Sequence, residues 1–170
     1  MSSIPPIAGL EITQDLAVQY RTWKIQRMGW AAMALIILAA LAGLFGSGPL
    51  ARTAVVDDQQ LVRLEYNRFG RYQDESLLKL ELTPKATQTH RVTVKVDRNY
   101  WTSHAIEQIA PEPMTSSAGF DGFLYTFEVD SQNAPAAIIV RLRPEYLGSL
   151  DGHIRVNDQG SLTFEQFIFP

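Results

Sequence analysis

Cysteine is absent from the 170-residue chain. That absence removes disulfide frameworks, thiolate metal sites and cysteine nucleophiles together, so a domain built here relies on its apolar core alone. Basic charge is not in excess either: 15 Lys and Arg stand against 18 Asp and Glu, a formal net charge of −3. Nucleic-acid affinity comes largely from counterion release onto basic surface, and this balance predicts no nucleic-acid partner. Glycine-rich phosphate loops, the G-x-S-x-G elbow and the H-E-x-x-H spacing do not occur. Of the three histidines, His104 has Glu107 at a ligand-like spacing for a helix. The neighbouring alternation reads as a strand, which sends the two side chains to opposite faces. The acidic pairs Asp57-Asp58 and Asp74-Glu75 read as solvated turns. No metal, cofactor or catalytic residue is therefore expected, and the chain is expected not to be an enzyme.

What is present is one long apolar run. Residues 28–46 contain 19 positions without a charged or amide side chain, and at 1.5 Å per residue a helix of that length is about 29 Å long, close to the thickness of a bilayer core. It reads as a transmembrane helix. Residues 1–12, with two adjacent prolines and a glycine, form an irregular arm. From residue 13 the spacing of Leu16, Tyr20 and Trp23 predicts a juxtamembrane helix that continues into the span, giving one helical segment over 13–47. Arg21, Lys24 and Arg27 line another side of it, and Trp23 and Trp30 suit the lipid–water interface. The same face would also suit docking on another protein.

These flanks predict orientation. Three basic residues lie just before the run, whereas only Arg52 follows closely, soon offset by Asp57 and Asp58, so the N-terminus is expected in the cytoplasm and the C-terminal domain outside. A cleaved signal peptide is the competing reading, because Ala40-Leu41-Ala42 has a small-x-small form, although its leader would be unusually long. Ala39, Gly43 and Gly46 are small residues at spacings that let another helix backbone approach. The partner would be a second copy or another integral membrane protein within the lipid bilayer. Gly46 to Pro49 would end the helix.

After Arg52 the period changes to two. Val62, Leu64 and Tyr66 alternate with polar residues, as do Leu78, Leu80 and Leu82, then Val92, Val94 and Val96. The rows Phe123 to Val129, Ile138 to Leu142, Ile154 and Val156, and Leu162, Phe164 and Ile168 repeat the pattern. Turn signals fall at Thr83-Pro84, Asp121-Gly122, Asn133 to Pro135, Asp151-Gly152 and Asn157 to Gly160. Over 52–170 these predict an extracytoplasmic, immunoglobulin-like antiparallel β-sandwich, with a partly closed barrel as the alternative. In 99–119, Tyr100 and Trp101 are expected to close one end of the core, residues 105–109 to form a short strand, and 114–119 an exposed loop.

Two stretches exceed what such a fold requires. In Tyr66-Asn67-Arg68-Phe69-Gly70-Arg71-Tyr72, Tyr66 continues the inward row while Phe69 has the opposite parity, so a bulge or strand end lies between them. Arg68 and Arg71 are thereby set near aromatic rings, a composition suited to a protein surface, carboxylates or phosphates, or equally to a structural stack. In Phe164 to Pro170, Phe164 and Ile168 share one face while Phe167 and Phe169 share the other. The terminus is either sandwiched within the protein or covered by a partner or the membrane surface. Tyr66, Arg68, Phe69, Arg71, Phe167 and Phe169 are the candidate interaction residues.

The order of basic-aromatic head, alanine-leucine span, Gly48-Pro49-Leu50 exit, Glu65 to Arg71 strand, Pro111-Glu112-Pro113 and terminal Gln166 to Pro170 resembles a family of small bacterial single-pass membrane proteins. Its motifs are tied to no activity. The resemblance implies an inner-membrane protein with a periplasmic β-sandwich, serving as an accessory or assembly subunit of a larger membrane protein. A module binding an anionic lipid or glycan is the alternative function.

Overall fold

The computed structural model describes residues 16–42, 51–130 and 132–170, which fall into two compact units, an N-terminal helix and a β-rich domain. Helix α1 is Leu16–Leu41. Over Gln19–Leu41 it is long and apolar enough to cross a membrane, and none of that stretch is buried within the molecule. Leu35, Ile36, Ile37 and Leu38 are each more than half exposed. Four consecutive residues point around the whole circumference, so this part of the helix is apolar all round rather than along one stripe. The Arg27 guanidinium lies 4.0 Å from the Trp23 ring centroid one turn earlier. The expected arm over 1–12, the helix ends at 13–15 and 43–47, and with them Gly43 and Gly46, lie outside the described residues.

The domain has two sheets. In chain order its elements are β1 (Arg52–Val56), β2 (Val62–Asn67), β3 (Phe69–Arg71), β4 (Ser76–Leu82), β5 (Arg91–Asp97), α2 (Arg98–Thr102), β6 (His104–Ala110), β7 (Thr115–Ala118), β8 (Gly122–Glu128), β9 (Ala136–Pro144), β10 (Gly148–Val156) and β11 (Gly160–Phe169). The first sheet runs β1-β2-β4-β9-β6 and the second β3-β11-β10-β5-β8-β7. Alternation builds both. Leu64 faces Leu80, which faces Ile138, across the first sheet, and Leu162, Ile154 and Val96 align across the second. These inward rows belong to one hydrophobic cluster, which Tyr100 and Trp101 of α2 close. The outer face of the first sheet instead carries a ladder of Arg63, Glu65, Lys79 and Glu81.

Several expectations are corrected. The pairing is antiparallel except for β3, which lies parallel to β11. The break in parity at Phe69 is a strand end: β2 stops at Asn67 and the chain crosses to the other sheet as β3. Residues 115–118 are not loop but the edge strand β7, and β1 is a further edge strand the sequence pattern did not indicate. All four β7 residues are exposed, so no alternation marks them. Asp151-Gly152 is not a turn but the middle of β10, because the Phe164 ring fills the space of a side chain at Gly152. A Cβ there would lie 2.3 Å from that ring. Asp57 is not solvated: it is 4% exposed and accepts hydrogen bonds from the Leu61 and Val62 amides at 2.7 and 2.8 Å, organising the β1–β2 turn.

Candidate functional site

At the end of β2 the Arg68 backbone is held on both sides. Its N–H donates to the Ala51 carbonyl at 2.7 Å, and its carbonyl accepts from the Phe167 N–H at 2.7 Å. The side chain is left exposed. Parallel pairing then sets Phe69 against Phe167 and Arg71 against Phe169. Because Phe164, Gln166 and Ile168 point inward, Phe167 and Phe169 point outward on the same strand. The Phe167 and Phe169 rings meet edge to face at 4.9 Å, and Phe69 lies 6.0 Å from Phe169. Arg71 is exposed and its Nε donates to the Pro170 carbonyl at 3.3 Å.

Five of the six expected interaction residues therefore come together on one sheet edge. Tyr66 does not join them: it is 7% exposed and packs against Phe164 at 4.9 Å within the core. The terminus is closed on its inner face and open on its outer one, where Phe167 is 41% exposed. Of the helix residues, Ala39 lies on α1, as do Trp23, Trp30, Arg21, Lys24 and Arg27, all within the described residues.

Beneath this edge lies a polar network that the sequence reading missed. The Tyr100 hydroxyl donates to Gln166 Oε1 at 3.0 Å, while Gln166 Nε2 donates to the Asn67 carbonyl at 2.9 Å and to Ser76 Oγ at 3.1 Å. Gln166 is fully buried. The carbonyl it satisfies is the one that β2 leaves without a ladder partner when the chain crosses between sheets, so this amide stitches the crossing. Burial pushes the Tyr100 phenol well above its ordinary range, which keeps it a donor. A glutamine at an inward parity position of β11 was the available signal.

His104 is the other buried polar residue here. Its Nδ1 lies 2.7 Å from the Tyr100 carbonyl; a carbonyl only accepts, so Nδ1 carries the proton and Nε2 is left bare. That nitrogen is buried without a hydrogen-bond partner among the described residues. Glu107, by contrast, pairs with Arg143 on the other face, and among the described residues no group of three or more His, Asp or Glu side chains could hold a metal. Burial lowers the His104 pKa below 6.5, opposed by the Tyr100 carbonyl. Because the folded value lies below the unfolded one, stability is full above about pH 6.5 and declines as pH falls from there through the folded pKa. For a single proton the decline has an upper limit of about 1.4 kcal/mol per pH unit. Chemical-denaturation midpoints between pH 7.5 and 5.5 should show it, and His104→Gln should flatten it; an unchanged slope in that variant would assign the effect elsewhere.

No family model, curated protein or solved structure matches this chain. Aromatics at least partly exposed, beside arginines without side-chain carboxylate partners among the described residues, suit association, since both residue types are enriched where protein surfaces bind.

Proposed function

We propose that this chain is a single-pass protein of the bacterial inner membrane, with its N-terminus cytoplasmic and its domain periplasmic, and that it is a non-catalytic accessory or assembly subunit of another integral membrane protein. The observation that carries this reading is the edge formed by Arg68, Phe69, Arg71, Phe167 and Phe169, a preformed apolar and cationic surface bonded directly to Ala51, where the chain enters the domain. Supporting it are an N-terminal helix that carries no charged residue over 28–41 and the basic residues in its first half. An immunoglobulin-like order agrees with β4 pairing β9 in one sheet while β5 pairs β10 in the other.

Two weak contacts on one chain reinforce each other, because the first raises the effective concentration of the second. Ala39 on α1 admits a neighbouring helix, and Arg68 offers the contact outside the membrane. Ala39→Leu keeps the helix apolar but holds backbones apart. Each of Ala39→Leu and Arg68→Ala should reduce recovery of a co-purifying membrane protein several-fold in mild detergent, and together they should abolish it while the domain melts normally. Undiminished recovery in the double variant would remove the accessory-subunit reading in favour of the anionic lipid or glycan module.

A further inference from the structure

We infer that the end of the domain where the chain enters docks on the anionic surface of the lipid bilayer, with Phe120 as its inserted residue. This rests on the reading that α1 spans the membrane. Strand register defines the end. Arg52 opens β1 opposite Asn67, Gly122 opens β8 opposite Asp97, and Gly148 opens β10 opposite Ile168. Since Ile154 faces Val96, β5 and β11 finish, and β10 and β8 begin, at the same end. The β7–β8 turn, the loop between β9 and β10 and the residue after β3 all lie there.

Among the described residues of the domain, the aromatic side chains with the greatest exposure are Phe120 at 99%, Tyr146 at 60%, Tyr72 at 42% and Phe167 at 41%. All four lie at this end. Arg52, Arg68, Arg71 and Arg98 are exposed there as well, and among the described residues none pairs with a carboxylate. Asp74, Glu75, Asp121 and Glu145 are exposed acids nearby; Asp121 pairs with Lys95 and Glu75 with Arg141. The opposite end presents Asp58, Asp130 and Asp158 in its turns, with Lys85 and Arg91 exposed among them. Aromatic residues at the headgroup level and arginines towards anionic lipid are the composition of an interfacial surface.

Phe120 is held rather than loosely exposed. Arg98 donates to the Gly119 carbonyl at 2.5 Å and to the Phe120 carbonyl at 3.1 Å, Gly119 N–H donates to the Gly122 carbonyl at 2.8 Å, and Lys95 pairs with Asp121 at 2.5 Å. The Gly119 and Phe120 carbonyls are both satisfied by Arg98, so inserting Phe120 leaves neither of them bare. Preorganisation also lowers the ordering cost of docking. The bilayer, rather than a soluble partner, is the occupant because ten residues separate Leu41 from Arg52. Fully extended they reach about 35 Å, so this end, and not the acidic one, is tethered near lipid, where even a weak contact is populated.

The absence of cysteine allows a clean test. Phe120→Cys and Asp158→Cys, each labelled with an environment-sensitive fluorophore, would be reconstituted as full-length chain into vesicles of phosphatidylethanolamine and phosphatidylglycerol, and into phosphatidylcholine alone. The label at 120 should emit to the blue of the label at 158 and be quenched several-fold more by nitroxide-bearing lipid, with the difference larger in the anionic vesicles. Equal water exposure of both labels, in chain that floats with the vesicles at alkaline pH, would overturn the docking alone. Chain that is stripped from the vesicles at alkaline pH would overturn the spanning reading, and the docking with it. A label at 120 that is shielded but insensitive to lipid quencher, and becomes exposed at one chain per nanodisc, would assign the surface to a second copy and overturn the proposal.

Discussion

Leu80→Asp and Val94→Asp should each abolish the cooperative melting transition of residues 52–170. Leu80 is 2% exposed on β4 between Leu64 and Ile138; Val94 is 4% exposed on β5 between Val156 and Tyr125. The space around each is lined by aliphatic and aromatic side chains of both sheets. A carboxylate in such surroundings either stays ionised without a partner or is held neutral at the expense of its pKa, at a cost of several kcal/mol by either route. A whole domain is stable by about 5 to 15 kcal/mol. Arg63→Ala is the matched control, since Arg63 lies on the outer ladder with half its side chain exposed, and loss of its pairs should cost about 1 kcal/mol or less. Circular dichroism melts would decide it. Parent-like melting of both aspartate variants would place those two residues outside the core and overturn the strand register.

These two sites were legible in the sequence because period-two alternation reports directly which face of a strand is buried. The parity break at Phe69 was legible on the same grounds, and it set Arg68 and Arg71 near aromatic rings; that Phe167 and Phe169 lie beside them follows only from the parallel pairing of β3 with β11. What escaped notice has a common cause. The edge strands β1 and β7 bury too little to alternate: β7 is exposed at every position, and β1 alternates only between exposed and half-buried. Gly152 read as a turn because its partner, the Phe164 ring, lies across the hairpin and is invisible to local pattern. Asp57 read as solvated because the amides it captures, at Leu61 and Val62, follow it in a turn whose shape local composition does not state. Phe120 lies outside the alternating row that starts at Phe123, and it is almost wholly exposed. The loop tip decides that, through contacts with Arg98 more than twenty positions earlier.

The second large effect is expected at Gln166. Leucine there preserves most of the volume but removes three hydrogen bonds, leaving the Tyr100 hydroxyl, the Asn67 carbonyl and Ser76 Oγ without that partner. Each buried group left unmade costs about 1 to 3 kcal/mol, and a buried leucine returns about 1.5 to 3 kcal/mol of transfer energy, so Gln166→Leu should destabilise the domain by roughly 2 to 5 kcal/mol. The network reading makes a sharper demand than the sum. Tyr100→Phe removes the hydroxyl that Gln166→Leu strands, and the double variant should therefore cost less than the two single variants added together, by about 1 to 2 kcal/mol. Strict additivity would mean that Tyr100 and Gln166 do not share a bond. The loss should also be local before it is global. With the Asn67 carbonyl released, the crossing from β2 to β3 loosens, and the amides of Tyr72 and Phe167, which bond to the Phe169 and Arg68 carbonyls, should exchange with deuterium faster than those of the β4–β9 pair. Such a pattern would tie the buried glutamine to the exposed surface: Gln166 holds in place the strand that presents Arg68, Phe69 and Arg71, and a variant with intact central sheets but a loosened β3 should lose partner recovery without losing its fold.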